Sequence, residues 1–235
     1  MAGVLILAIE TATGCGSVAL TRGGTCGGRL LAEATAQPEI THSRRLLGSV
    51  DWIMQAASVE WSDLHGVAIS LGPGSFTGLR IGMAAAKGIV FSTGIPLVGV
   101  SALDGLSLCC PVIDRPLWCL LDARKQEVYA ACYHPGPGGR PQRIGEVVAI
   151  RPECLLEQLD TPVLLAGPGA EVYQTLFNES NHVRFIAAAF SSPGAGRIGF
   201  LAADQLTAGR TLDPATAVPL YVRASEAEVN ARKAG

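Results

Sequence analysis

Twice along this chain an apolar strand ends on a carboxylate and turns back into a second strand, and twice a later apolar strand runs into Gly-Pro-Gly and a helix. The first pass is Val4–Ile9, then Glu10, a turn holding Thr11, Thr13, Gly14 and Gly16, and Ser17–Leu20. Val67–Leu71 and Gly72-Pro73-Gly74 follow. The second pass is Leu117–Leu121, Asp122, a turn at Ala123-Arg124-Lys125-Gln126, and Glu127–His134. It continues with Val163–Ala166, Gly167-Pro168-Gly169 and a helical stretch through Val172, Leu176 and Phe177. Short continuous apolar runs bounded by turn residues read as strands buried on both faces, and strands alternating with helices make layered α/β units. Two lobes of related plan are expected, an N-terminal one over 1–103 and a C-terminal one over 104–235, with a late helix near 194–209 that can pack back on the first.

The helices of the first half carry their own pattern. Leu46, Leu47, Val50, Ile53, Met54 and Ala57 recur at helical spacing, with Thr41 or Ser43 as the cap. A second helix is expected over Gly78–Thr93, capped by Thr77. Its Gly78, Gly82 and Gly88 each cost about 1 kcal/mol relative to alanine in a helix interior, so something must approach this backbone closely.

Composition narrows the function classes. With 49% hydrophobic and 16% charged residues the chain folds rather than staying disordered. A formal net charge of -2 argues against a protein that grips nucleic acid through a basic face of its own. No apolar run approaches the ~20 residues of a membrane helix, and the opening run stops at Glu10 without a basic start, so a cytoplasmic protein with no membrane partner is expected. The seven cysteines show no C-x-x-C spacing, and the adjacent Cys109-Cys110 reads as a pair of small hydrophobes ahead of a redox or metal element. His42, His65, His134 and His182 show no metal-ligand spacing, so no metal site is expected.

The chemistry concentrates at two places. Gly72, Gly74, Ser75, Thr77 and Arg80 surround a strand-to-helix turn, where glycines expose backbone amides and a helix N-terminus favours an anion. The same glycines serve equally well for tight packing, and the phosphate-loop pattern G-x-x-x-x-G-K-[ST] is absent. Glu10, with Thr11 beside it, and Asp122 end the first strand of each half, where carboxylates suit a magnesium-bound phosphate. The turn after Asp122 has no glycine to wrap a phosphate, so half of such a clamp is missing. Ser75 lacks a G-x-S-x-G frame, and His42 beside Ser43 does not imply a catalytic triad.

Seven strings, in order along the chain, carry a family resemblance: Ile6–Thr11, His42–Leu47, Gly72–Gly82 (GPGSFTGLRIG), Ala86-Lys87-Gly88, Ile95–Ser101, Leu121–Arg124 and Pro219-x-Tyr221-x-Arg223. Together they resemble the TsaB/YeaZ family. The resemblance implies an α/β chain with the actin-like (ASKHA) fold of two RNase H-like lobes. It implies a non-catalytic accessory subunit for threonylcarbamoyl transfer to adenosine 37 of tRNA (the t6A modification), which stabilises or activates a TsaD-type catalytic paralogue together with a TsaE-type ATPase. ATP or ADP with magnesium would belong to the complex, and tRNA would be reached only through it. The metal-binding histidine pair of the catalytic paralogue has no counterpart in this sequence. Family contacts run through the N-lobe helices, which points to His42, Arg45, Leu46, Ser49, Val50 and Ile53 on the first, and Gly78, Gly82, Met83 and Ala86 on the second. The same surface would support a weak homodimer when the chain is alone. The alternative is an independent actin-like-fold ATPase or small-molecule kinase; a metalloprotease is least supported.

Overall fold

The computed structural model describes residues 3–13, 15–36 and 42–222, the side chains of 42–45 apart. The chain divides into two compact units, Met1–Gly105 with Pro193–Pro219, and Leu106–Ser192 with Leu220–Gly235.

The first unit is built on β1 (Leu5–Glu10), β2 (Gly16–Arg22), β3 (Arg29–Ala36), β4 (Gly66–Gly72) and β5 (Leu97–Ser101), in the sheet order β3-β2-β1-β4-β5. β1 to β3 pair antiparallel, whereas β4 and β5 run parallel to β1. α1 (His42–Ala56) and α2 (Phe76–Thr93) lie on one face. There Leu5, Leu7, Ile9, Val18 and Leu20 meet Val50 and Ile53 of α1 and Met83 and Val90 of α2. α3 (Ala102–Ser107) follows β5.

The second unit repeats the plan. β6 (Leu117–Arg124), β7 (Glu127–Pro135), β8 (Pro141–Ile150), β9 (Val163–Ala166) and β10 (Val183–Phe185) form a sheet in the order β10-β9-β6-β7-β8. β6 to β8 are antiparallel, and β9 and β10 parallel to β6. α4 (Pro152–Leu156), α5 (Pro168–Val172) and α6 (Gln174–Phe177) contribute Leu155, Ala170 and Phe177 to a core with Leu120, Val128 and Leu165. Both sheets have the strand order and directions of an RNase H-like lobe, and two such lobes in one chain make the actin-like fold.

α7 (Ala195–Thr207) returns to the first unit and covers the other face of its sheet. Ala195, Ile198, Ala202 and Ala203 pack on Ile6, Ala8, Ala19, Ala68, Val98 and Val100. All six residues of β1 are therefore buried, which is why its sequence is an unbroken apolar run. The helix lies within the 194–209 expected from sequence, and its first amides are capped from other strands. Ala195 N–H donates to Ser17 Oγ at 2.9 Å and Gly196 N–H to Glu33 Oε1 at 3.0 Å. Near its other end Asp204 accepts from the amide and hydroxyl of Thr25, at 3.2 and 2.6 Å.

Two strands carry little sequence signal. β3 alternates exposed and half-buried positions without an apolar run, and β10 has three residues. β8, Pro141–Ile150, is mostly exposed. Among the described residues no helix is long and apolar enough to cross a membrane.

Candidate functional site

The strand-to-helix turn after β4 is closed by the chain's own backbone. Ser75, not Thr77, is the N-cap of α2: its hydroxyl accepts from Gly78 N–H at 3.2 Å, and the helix begins at Phe76. The Ser75 amide donates to Ala12 O at 2.6 Å. A Cβ on Gly74 would sit 2.0 Å from Ala12 O, one on Gly78 2.2 Å from Thr11 O, and one on Gly82 2.2 Å from Thr11 Oγ1. The close approach inferred from the glycines of α2 is thus that of the β1–β2 turn. Their absent side chains let that turn lie directly on the helix.

At the turn expected to hold an anion, Gly74 is packed against the chain's own backbone. Two of the amides at this helix start are already taken, by Ser75 Oγ and Ala12 O, and the glycines serve packing. Thr77 and Arg80 are exposed, with the Arg80 guanidinium 3.8 Å from the centroid of the Phe76 ring. Gly14 lies outside the described residues.

Glu10 is completely buried at the end of β1. Its Oε1 accepts from Ala12 N–H at 2.6 Å, while Oε2 has no hydrogen-bond partner. Burial pushes the carboxyl up to about 7, against the opposing pull of the Ala12 amide. The Thr11 hydroxyl is buried and unpartnered, while the Ser70 and Thr13 hydroxyls face the carboxyl and oppose its upward shift. A carboxyl shielded from solvent, with one oxygen held by its own turn, does not fit a magnesium-bound phosphate.

Asp122 stands at the matching end of β6 but is exposed, and its Oδ1 accepts from Arg124 N–H at 2.8 Å. The hairpin it starts is unusual, because Arg124, Lys125 and Gln126 have φ of 58°, 53° and 61°. Three successive non-glycine residues are held in the left-handed region, at a cost of about 1 kcal/mol each. Lys125 and Gln126 occupy a two-residue turn that favours Asn-Gly. Replacing them by Asn-Gly is expected to raise stability by about 1 kcal/mol, measurable by urea denaturation.

Of the partner-interface candidates, Val50 lines an apolar groove between α1 and α2. Leu46, Val50, Ile53, Gly78, Gly82, Met83 and Ala86 are buried in the first unit, and Ser49 is half-buried. Their spacing marks the core stripe of α1 and α2, which leaves the neighbouring faces for contact. The side chains of His42 and Arg45 lie outside the described residues, as do Thr41 and Arg223. Leu47, counted in the apolar stripe, is 56% exposed. It borders an apolar groove of about 530 Å³ between α1 and α2, lined also by Trp61, Ala84, Gly88 and Ile89. Trp52 on α1 and Phe91 on α2 are 59% and 66% exposed. The available signal is Trp52, which lies off the helical stripe of α1 and has no reason in the core pattern to be apolar.

Gly78 and Gly88 separate the two faces of α2. A Cβ on Gly88 meets nothing within 4 Å, whereas one on Gly78 collides with backbone. Gly78→Ala is expected to cost about 2–3 kcal/mol by overpacking, and Gly88→Ala to stabilise by roughly 0.5–1 kcal/mol through helix propensity. Paired thermal denaturation curves check both signs.

All seven cysteines are free of disulfides, Cys109 and Cys110 included. Burial pushes the Cys132 thiol up to about 11, which keeps it protonated at neutral pH. Among the described residues no three of His, Cys, Asp or Glu gather where they could hold a metal ion.

Residues 31–231 match the family described as "TsaD: tRNA N6-adenosine threonylcarbamoyltransferase", which sets the class: an actin-like-fold chain of the threonylcarbamoyltransferase group. The TsaB proteins of tRNA threonylcarbamoyladenosine biosynthesis from Bacillus subtilis and Escherichia coli are each 30% identical. The alignments cover 95% of this chain and 96% of the first, and 93% of this chain and 94% of the second. YeaZ from Pseudomonas aeruginosa superposes with a TM-score of 0.77 at 27% identity, over 93% of this chain and 99% of that one. The chain belongs to the TsaB/YeaZ family.

Proposed function

We propose that this chain is a non-catalytic subunit of the cytoplasmic assembly that transfers threonylcarbamoyl to adenosine 37 of tRNA. It stabilises the TsaD-type catalytic paralogue and works with a TsaE-type ATPase. The names of its full-length relatives support the pathway. The observation that carries the role is the apolar groove between α1 and α2, with exposed Leu47 and Trp61 in its lining. An isolated soluble chain rarely keeps such a patch uncovered unless a partner fits it. The occupant of this reading is the catalytic paralogue. A weaker homodimer forms on the same face when the paralogue is missing.

The nucleotide of the complex is assigned to its other subunits. Glu10 is shielded at the first turn, and the second turn has no glycine. In this reading tRNA is held by the assembly, in keeping with a net charge of -2 on this chain.

The test is threonylcarbamoylation of tRNA by the purified paralogue and ATPase, with and without this chain. Addition is expected to restore activity, and the chain alone to show no turnover. Gly88→Arg places a long cation in the groove from an open position, so it is expected to bind the paralogue at least about tenfold more weakly while its melting temperature stays close to wild type. Magnesium-dependent nucleotide hydrolysis by the pure chain, lost on Asp122→Asn, would instead favour the independent ATPase or kinase.

A further inference from the structure

The buried Glu10 carboxyl ends a series of short contacts that runs to one wall of the groove. Its Oε1 accepts from Ala12 N–H at 2.6 Å, and Ala12 O accepts from Ser75 N–H at 2.6 Å. Ser75 Oγ then accepts from Gly78 N–H at 3.2 Å. Alongside this relay the Ala12 carbonyl lies against Gly74 and the Thr11 carbonyl against Gly78, backbone on backbone. A side chain between turn and helix would absorb a small displacement by changing rotamer. Close-packed backbone transmits it instead. Farther along the same helix Ala84, Gly88 and Ile89 face the groove.

We propose that Glu10 is a positioning residue for the partner surface: it fixes the turn after β1, the turn seats α2, and α2 sets one wall of the groove. This rests on the groove being the docking face. The relay needs an acceptor at the Oε1 position. Glutamine keeps one there, and alanine has none.

The experiment compares wild type, Glu10→Gln, Glu10→Ala, Ser75→Ala and Gly88→Arg as full chains, at a temperature where circular dichroism shows each folded. Amide hydrogen exchange along α2 is measured on the chain alone, and affinity on the paralogue. Glu10→Ala is expected to speed exchange over the first two turns of α2 and to weaken binding about tenfold, the upper scale of one lost hydrogen bond. Glu10→Gln is expected to stay within about twofold of wild type in affinity and not to speed exchange along α2.

If Glu10 only fills space, alanine speeds exchange in β1 and β4 as much as in α2 and leaves affinity unchanged. That result overturns the proposal, as does a glutamine variant that fails like alanine. Should Glu10→Ala not fold, Ser75→Ala removes a later acceptor from a half-buried position. It is expected to speed exchange at the start of α2 and to weaken binding about threefold; wild-type behaviour in both overturns the relay. Gly88→Arg separates the two readings. Wild-type affinity for it sinks the groove as docking face, while weak binding there with unaltered binding of Glu10→Ala sinks the positioning role alone.

Discussion

Replacing Glu10 by glutamine is expected to make the protein more stable than wild type by under about 1 kcal/mol at pH 5 and by about 3 kcal/mol at pH 8. The sign follows from where the proton sits. In the unfolded chain the carboxyl titrates near 4.5, whereas in the fold burial pushes it to about 7. Below pH 4.5 both states hold the proton, and the folded state carries no penalty. As pH rises toward 7 the unfolded state has released its proton while the folded state retains it, so stability falls. Above 7 the folded protein must hold a buried carboxylate, and the loss is complete. Glutamine is neutral throughout and can still accept from Ala12 N–H. The measurement is urea denaturation of both proteins from pH 5 to pH 8.5. A constant difference across that range would show that Glu10 is ionised in the fold at pH 5 or reaches solvent.

Ending the chain after Ser192 is expected to prevent stable folding of the first unit. α7 is the sole cover described over Ile6, Ala8, Ala19, Ala68, Val98 and Val100, and it brings Ile198 into the same cluster. Full exposure of each large aliphatic side chain costs about 1.5–3 kcal/mol. Four of them account for roughly 6–12 kcal/mol, comparable to the whole stability of a typical domain. Loss of the Ser17 and Glu33 caps and of the Asp204–Thr25 contact follows. The shortened chain should be insoluble, or lack a cooperative thermal transition by near-ultraviolet circular dichroism. A cooperative transition within a few degrees of the full chain would show that the sheet does not need this helix.

The parts of the fold that sequence displays are those where one physical demand acts alone. β1, the start of β4 and the first five residues of β6 are almost wholly buried, and their apolar runs Leu5–Ile9, Val67–Ile69 and Leu117–Leu121 show it. Both Gly-Pro-Gly turns likewise reflect one demand, close approach to the strand that opens their half. A Cβ on Gly74 meets Ala12 O, and one on Gly167 would lie 2.2 Å from Leu120 O.

The site was less legible because small residues on α2 answer two demands with one residue type. Gly82 is small because Thr11 lies on it, and Gly88 borders a groove; the sequence writes both as glycine. Only the position of the β1–β2 turn tells them apart. The α2 cap was misplaced for a related reason. Ser75 and Thr77 are both good capping residues, and the choice falls to Ser75 because Ala12 O holds its amide. That contact joins residues 63 positions apart, and no local pattern contains it.

The dependence of the first sheet on a helix made near the end of the chain also bears on biosynthesis. On the ribosome the five strands of the first unit are complete by Ser101, yet the helix that covers one face is not finished until Thr207. At about 5–20 residues per second, that face waits roughly 5–20 s for its cover. During that interval Val98 and Val100 are open to whatever apolar surface is nearby, including other nascent copies. The demand for a chaperone should therefore peak while the second unit is being translated, and slowing translation between codons 105 and 195 should lower the soluble yield.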